Sequence, residues 1–310
     1  MSILITGANG LVGSAIVRAS KAQGRDVIEI GRSEVDLMNL EATRKLLNLV
    51  KPEIVINAAA KVGGIGANSS HPVEFLIENI LIQNNLMQAA HEAGVRKFVY
   101  LGSSCIYPRD CAQPIKEEYL MSGPLESTNS AYAIAKISGI ELVNSYRKEY
   151  GAKWISLMPT NLYGPYDNFD LQNSHVIPAL IRRFVEAAEF GSTSVKLWGT
   201  GEPLREFLHV DDLAQAVLMA TDIYDSSLHL NIGSGEEITI RDLGHLIASI
   251  SGFVGEIIWD TSKPDGTPRK VLDVSRIKSL GWKPGINLTE GIASTVDWYK
   301  KARATGEVRN

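Results

Sequence analysis

The sequence predicts an α/β fold: a Rossmann-type, doubly wound parallel sheet with a smaller mixed α/β substrate domain toward the C-terminus. Three observations carry this. Short β-branched runs alternate with longer amphipathic ones through the first half, the mark of parallel strands joined by helical crossovers. The first run, Ile3-Leu4-Ile5, leads straight into Thr6-Gly-Ala-Asn-Gly-Leu-Val-Gly13, a glycine-spaced turn that opens a helix. After Pro159 the rhythm gives way to polar turns at Gly164-Pro165, Asp167-Asn168 and Asn173-Ser174, where the chain is expected to leave the sheet.

In order, strands are expected near 2–6, 26–30, 54–58, 97–102 and 154–158, and helices near 11–23, 40–50, 73–93 and 130–150. The run Arg205-Glu-Phe-Leu-His-Val-Asp-Asp212 is expected to return the chain to the sheet, with Asp211 or Asp212 capping the next helix. Residues 1–164 with a return segment of about 206–232 would form the dinucleotide-binding domain. Residues 165–205 and 233–310 would form the substrate domain. The tail carries turn signals at Lys263-Pro-Asp-Gly266 and Gly281-Trp-Lys-Pro284. The segment 73–93 is apolar at Phe75, Leu76, Ile77, Ile80, Leu81, Ile82, Leu86 and Met87, which exceeds one helical stripe. It is either a deeply covered helix or half of a homodimer seam shared with helix 130–150.

Composition narrows the function. The chain has 310 residues, 45% hydrophobic and 21% charged, an ordinary globular balance. Its net charge of −4 offers no general field for nucleic acid, so an anionic ligand needs local cations. Two cysteines, Cys105 and Cys111, are too few for a disulfide framework. No apolar run approaches the roughly 20 residues that span a bilayer, and with an apolar strand so close to Met1 no leader is expected. The expectation is a soluble cytoplasmic protein with no metal, in which the Asn-x-Ser/Thr triplets at Asn68 and Asn287 are chance.

The glycines specify a cofactor. Gly7 permits the tight turn, Gly10 lets a diphosphate approach the backbone, and Gly13 lets helix pack closely on strand. The second strand, Asp26-Val-Ile-Glu-Ile30, runs into Gly31-Arg32. An NAD enzyme places an acid here for the ribose hydroxyl. Arg32 suits a 2′-phosphate instead and points to NADPH, although Asp36 lies close enough to compete. Asn57-Ala-Ala-Ala60 is expected to wall the riboses.

Tyr132 and Lys136 stand four apart on a predicted helix and share one face. An ammonium beside a phenol favours the phenolate, which would make Tyr132 a proton carrier near neutral pH. Ser103, at the end of strand 97–102, is the expected hydroxyl partner. These three suffice for hydride transfer. Cys105 and His175 are then a surplus thiol and imidazole. Each has a bland reading, a small buried side chain and a helix cap. The sharper reading is a second proton transfer in the same cleft. Cys111 has only the structural reading.

Six motifs together mark a resemblance. They are Ala58-Ala-Ala-Lys-Val-Gly-Gly-Ile65, Gly102-Ser-Ser-Cys-Ile-Tyr-Pro108, Tyr132-Ala-Ile-Ala-Lys136, Pro159-Thr-Asn-Leu-Tyr-Gly-Pro165, Asn173-Ser-His-Val-Ile-Pro-Ala-Leu180 and Arg205–Asp212. With the Gly-x-x-Gly-x-x-Gly spacing, they resemble the extended short-chain dehydrogenases/reductases, and within them the 3,5-epimerase/4-reductases of GDP-4-keto-6-deoxy-D-mannose. The likeness runs over nearly the whole chain.

The resemblance implies a bifunctional NADPH-dependent enzyme, most simply a homodimer. It implies Cys105 as base and His175 as acid in inverting carbons 3 and 5. Ser103, Tyr132 and Lys136 would serve the hydride step at carbon 4. It implies cofactor contacts at Asn9, Leu11, Val12, Ala59, Leu101, Gly102, Ser103, Lys136, Pro159, Asn161, Leu162 and His175, besides those above. It assigns the nucleotide-sugar substrate to Arg183, Trp198 and Arg205, and to Asp265 and Lys270. Two rival readings stand beside it. A redox-neutral 4-epimerase would not need Cys105 and His175, and a 4,6-dehydratase would carry an Asp-Glu pair where Ser104-Cys105 follows Ser103. A catalytically dead NADPH-binding protein would not keep Tyr132 and Lys136.

Overall fold

The structure, a computed structural model, describes residues 1–171, 173–263 and 265–308; Pro264 of one expected turn lies outside them. The chain starts with β1 (Ser2–Thr6), α1 (Leu11–Ala22), β2 (Asp26–Ile30), α2 (Leu40–Val50), β3 (Ile54–Asn57), α3 (Ile65–Ser70), α4 (Pro72–Glu92) and β4 (Lys97–Leu101). After a long loop come α5 (Ser130–Tyr150), β5 (Ile155–Pro159), β6 (Asn161–Tyr163), α6 (Val176–Glu189) and β7 (Ser194–Trp198). Then follow β8 (Leu204–His209), α7 (Val210–Ile223), β9 (Leu230–Ile232), β10 (Glu237–Thr239) and α8 (Ile240–Ser251). The chain closes with β11 (Glu256–Asp260), β12 (Arg269–Lys270), α9 (Ser275–Ser279) and α10 (Leu288–Thr305).

Six strands form one parallel sheet in the order β2-β1-β3-β4-β5-β9. Its inner strands β3, β4 and β5 are buried throughout, which requires apolar side chains on both faces. Sequences such as Ile54-Val-Ile and Phe98-Val-Tyr-Leu101 meet that demand. Helices α4 and α5 pack together over the sheet. Asn39 caps α2 by accepting the Ala42 N–H at 3.0 Å, and α5 ends where Gly151 turns left-handed at φ 69°.

The second core gathers Phe169, Ile177, Phe184, Leu197, Phe207, Ile247 and Tyr299. Helix α6 reaches it with buried Ile177, Leu180, Ile181, Phe184 and Val185, an i, i+3, i+4, i+7, i+8 stripe. A small sheet of β10-β8-β12, with β6 paired to β8, and a β11–β7 pair complete this part.

Two expectations need correction. Strand β8 does not rejoin the main sheet; β9 supplies the sixth strand. The cause lies at Glu206, fully buried in the middle of β8. Its carboxylate accepts the Gly235 N–H at 2.7 Å and the Leu272 N–H at 2.9 Å, so β8 sits where those donors are. The cap of α7 is also not an aspartate. His209 Nδ1 accepts the Asp211 N–H at 3.2 Å. Asp212 instead accepts the Gly285 and Ile286 N–H groups at 3.0 and 2.9 Å.

Both Asn-x-Ser/Thr asparagines have structural work. Asn68 is buried and donates to the Gly63 and Gly64 carbonyls, and Asn287 caps α10. Among the described residues, no helix is long and apolar enough to cross a membrane.

Candidate active site

A cleft of about 2320 Å³ lies over the carboxyl ends of the parallel strands and is closed on the far side by α6, β7 and β12. A site for one drug-sized ligand is roughly 300–1,000 Å³, so this one has room for two nucleotide-sized molecules side by side. It sits where strand order reverses between β1 and β3, the usual ligand position in such sheets.

The floor at this switch point tolerates only glycine. Gly7 has φ +67°, and a Cβ there would fall 2.7 Å from the Ala58 carbonyl oxygen. A Cβ on Gly13 would stand 2.1 Å from the Gly7 carbonyl oxygen. Gly10 caps α1 without any side-chain bond, leaving its first N–H groups open to an anion beside Asn9, Leu11 and Val12. This cradle fits a dinucleotide diphosphate. Thr6 Oγ1 donates to Asn57 Oδ1 at 2.9 Å, and the Ala59 N–H donates to the same oxygen at 3.1 Å. That pair fixes the wall Ala58–Ala60.

At the rim, Arg32 is exposed and Asp36 spends one oxygen on the Met38 N–H at 3.0 Å. Glu34, unremarked in the sequence, folds back to accept from Ser33 Oγ at 2.6 Å and from the Gly31 N–H at 2.7 Å. These bonds hold its carboxyl below the usual range. The nearby acids therefore serve their own loop, and Arg32 lines the cleft beside them.

The side chains expected to react reach the cleft from three parts of the chain. Helix α5 presents Tyr132 and Lys136, both buried. Lys136 Nζ donates to the Leu101 carbonyl at 3.0 Å and lies 5.7 Å from the Tyr132 ring centroid. Ser103 follows β4. Its hydroxyl bonds the Tyr132 phenol and accepts the Cys105 N–H at 3.3 Å. Gly102 beside it leaves no space for a Cβ, which would meet the Met158 sulfur at 2.3 Å.

Cys105 lies on the short 3-10 turn Ser104–Ile106, half-buried, and its Sγ accepts from Lys270 Nζ at 3.7 Å. His175 precedes α6, makes no side-chain cap and lines the cleft. Desolvation by the surrounding protein lowers its imidazole pKa.

Burial overrides the expected effect of lysine on tyrosine. It pushes the Tyr132 phenol well above its ordinary pKa; charge on Cys105 adds to this and the Ser103 hydrogen bond opposes it. Burial also pushes Lys136 down to about 8. Tyr132 is thus a protonated acid at neutral pH rather than a phenolate, because desolvation penalises the charged form of both groups.

On the far side, Pro159, Asn161 and Leu162 line the cleft, and Asn161 Nδ2 donates to the Glu206 carbonyl at 2.9 Å. Arg183 donates to the Lys196 carbonyl at 3.2 Å. Arg205 is partly buried, which lowers its pKa, while Asp265 opposes that. Trp198 is 66% exposed with Lys263 Nζ 5.7 Å from its ring. Asp265 is occupied: it accepts the Thr200 N–H at 2.6 Å and Thr200 Oγ1 at 2.8 Å, fixing the turn after Trp198. Lys270 pairs in register with Arg205.

Every residue assigned to the site from sequence lines this one cleft except Gly13, which lies beneath the Gly7 turn. Sequence reading missed the contact of Lys270 with Cys105. It also gave no role to Val62–Ile65, which line the cleft. There the Gly64 N–H donates to the Asn173 carbonyl at 3.0 Å, and a Cβ on Gly64 would meet the Ser174 carbonyl oxygen at 2.7 Å. This clasp positions the His175 segment, and the paired glycines were its only sequence signal.

Comparison with known proteins agrees with this geometry. Residues 3–233 match the NAD dependent epimerase/dehydratase family. GDP-L-fucose synthase 1 of Arabidopsis thaliana is 51% identical over 300 residues, covering 96% of this chain and 93% of that protein. GDP-L-fucose synthase of Escherichia coli (strain K12) is 46% identical over 307 residues, with 96% of each chain covered. A crystal structure of a GDP-L-fucose synthetase from Naegleria fowleri bound to NADP superposes with a TM-score of 0.92 at 29% identity, covering 100% of this chain and 96% of that one. From the glycine cradle, the parallel sheet and these matches, the chain belongs to the NAD dependent epimerase/dehydratase family.

Proposed function

We propose that the cleft carries out the reaction of the GDP-L-fucose synthases. GDP-4-keto-6-deoxy-D-mannose is inverted at carbons 3 and 5, and carbon 4 is then reduced with NADPH to give GDP-L-fucose. The observation that carries this reading is that Cys105 and His175 line the same cleft as Ser103, Tyr132 and Lys136. A simple reductase needs only the last three. The relatives named above support the same choice.

The ketone at carbon 4 acidifies the hydrogens on carbons 3 and 5, because the resulting anion delocalises onto the carbonyl oxygen. The Cys105 sulfur takes a proton from one face and His175 returns one to the other. The lowered imidazole pKa favours donation over retention. Ser103 and Tyr132 hydrogen-bond the enolate oxygen, where the charge develops. NADPH, when bound, supplies the hydride for carbon 4. Tyr132 gives its phenolic proton to the oxygen of carbon 4, and Lys136 and Ser103 hold the phenol in place.

For binding, the glycine turn and the N-terminus of α1 hold the cofactor diphosphate, with Arg32 on the 2′-phosphate. Arg183 and Arg205 clamp the substrate diphosphate, and Trp198 meets the base. Residues 1–164 and about 206–232 serve the cofactor, and 165–205 and 233–310 serve the substrate. A homodimer forms through α4 and α5. Val73, Ile77 and Leu81 stand one turn apart on α4 at 65%, 50% and 39% exposed, with Ile134 of α5 at 49%. A reactive thiol at Cys105 suits a reducing cytoplasm.

The purified protein with GDP-4-keto-6-deoxy-D-mannose and NADPH tests the reading. One NADPH consumed per GDP-L-fucose formed supports it; a reduced sugar that keeps the manno arrangement at carbons 3 and 5 overturns it.

A further inference from the structure

We propose that Lys270 is the counter-ion of Cys105, holding its sulfur as the thiolate that takes the proton from the sugar. The proposal rests on the epimerase reading above and gives one of its groups a partner. It makes Lys270 a positioning residue for the inversion step, beyond any contact with the substrate.

The geometry is built rather than accidental. Lys270 Nζ donates to Cys105 Sγ at 3.7 Å, although 165 residues separate the two in sequence. A long lysine on a free loop would meet a sulfur only in passing. Here the backbone beneath it is fastened on both edges. On one side β12 pairs with β8, placing Lys270 opposite Arg205. The buried Glu206 carboxylate accepts the Leu272 N–H at 2.9 Å, two residues further on.

On the other side the strand is stitched to the loop that follows Cys105. The Ile115 N–H donates to the Val271 carbonyl at 2.8 Å and the Asp273 N–H to the Ile115 carbonyl at 2.8 Å. Gln113 Oε1 accepts the Val271 N–H at 3.0 Å. Strand and loop therefore carry Lys270 and Cys105 as one unit.

Burial raises the Cys111 thiol on the same loop and Lys270 opposes it, favouring the thiolate there too, but the Lys270 ammonium donates to Cys105. Tyr132 faces Cys105 from α5 as a neutral phenol, and Lys136 behind it is tied to the Leu101 carbonyl. Arg205 beside Lys270 interacts with Asp265. A thiol is a weak base until it ionises, and an adjacent cation favours the ionised form. The proton it accepts from carbon 3 or 5 leaves a neutral thiol next to Lys270. Losing that proton restores the pair.

The test reads Cys105 without substrate. In a Cys111→Ser background, so that one cysteine remains, the rate of carboxamidomethylation by iodoacetamide is measured at pH 7 for the native enzyme, Lys270→Met and Lys270→Arg. Lys270→Met is expected to slow modification at least tenfold, and Lys270→Arg to stay within about threefold of native, a conservative rescue. Wash-in of solvent deuterium into the keto sugar, at saturating sugar and without NADPH, should fall in parallel for Lys270→Met.

An unchanged modification rate in Lys270→Met, with only a raised KM, would make Lys270 a substrate ligand alone and overturn the proposal. Equal slowing by both variants would assign it to packing and overturn it as well. Because the alkylation needs no sugar, its outcome is separate from the identity of the product.

Discussion

Lys136 Nζ lies 5.7 Å from the centre of the Tyr132 ring, with its proton-bearing nitrogen tied at 3.0 Å to the carbonyl of Leu101. Both groups are buried, and burial moves them in opposite senses: the phenol up, the amine down to about 8. A cation poised this close to neutrality is half lost one step into the alkaline range. The hydride step should therefore decline as pH rises through about 8, with the slope of a single proton. Single-turnover NADPH oxidation from pH 6 to 10 measures this. Lys136→Met should abolish the dependence and slow the step about 10²–10⁴-fold.

In the proposed reading, Arg32 selects the cofactor. Its guanidinium stands at the rim, while Glu34 is spent on Ser33 and Gly31. A charged hydrogen bond to a phosphate is worth about 1.5–3 kcal/mol, which is roughly 10- to 100-fold in affinity. Arg32→Ala should raise the KM for NADPH by that factor and leave the KM for NADH unchanged. A parallel rise for both would remove the residue from 2′-phosphate recognition.

Much of the cofactor half was legible because its signals are local. The elements from β1 to β4, apart from the short α3, follow from runs of apolar residues and from glycines whose roles depend on neighbours a few positions away. The site residues were legible as types for the same reason: Tyr132 and Lys136 share a helix turn, and Ser103 and Cys105 share a loop. What escaped was set by distant partners. The apolar Phe207-Leu208 makes β8 read like a strand of the main sheet. Buried Glu206 places it elsewhere, through donors at Gly235 and Leu272. The cap at His209 was hidden because Asp212, the better cap by type, is drawn off to Gly285 and Ile286. Burial also decided the state of Tyr132, which spacing alone does not reveal.

Gly13 tests the cofactor cradle. A Cβ there would meet the Gly7 carbonyl oxygen at 2.1 Å, a backbone atom that has no rotamer to yield. Gly13→Ala should cost about 1–3 kcal/mol of stability as an overpacked site. It should also weaken NADPH binding by displacing the turn that Gly7 begins. Thermal melting with and without NADPH reads both effects, and a cofactor-dependent shift equal to native would contradict the role given to the cradle.

Ile77 tests the assembly. At 50% exposed between Val73 and Leu81, it lies at the middle of the uncovered stripe on α4. A charge buried there without a partner opposes association. The native protein is expected to sediment as a dimer, and Ile77→Lys as a monomer at the same concentration. A native monomer would refute the seam.

If one cleft both inverts two carbons and reduces the one between them, the sugar made in deuterium oxide with unlabelled NADPH carries a distinct isotopic pattern, read by proton NMR. The expected product is GDP-L-fucose with deuterium at carbons 3 and 5 and protium at carbon 4, and in Cys105→Ser deuterium incorporation at those two carbons should fall at least a hundredfold further than the hydride step. Protium retained at carbons 3 and 5 of the native product, or full labelling by Cys105→Ser, would contradict it.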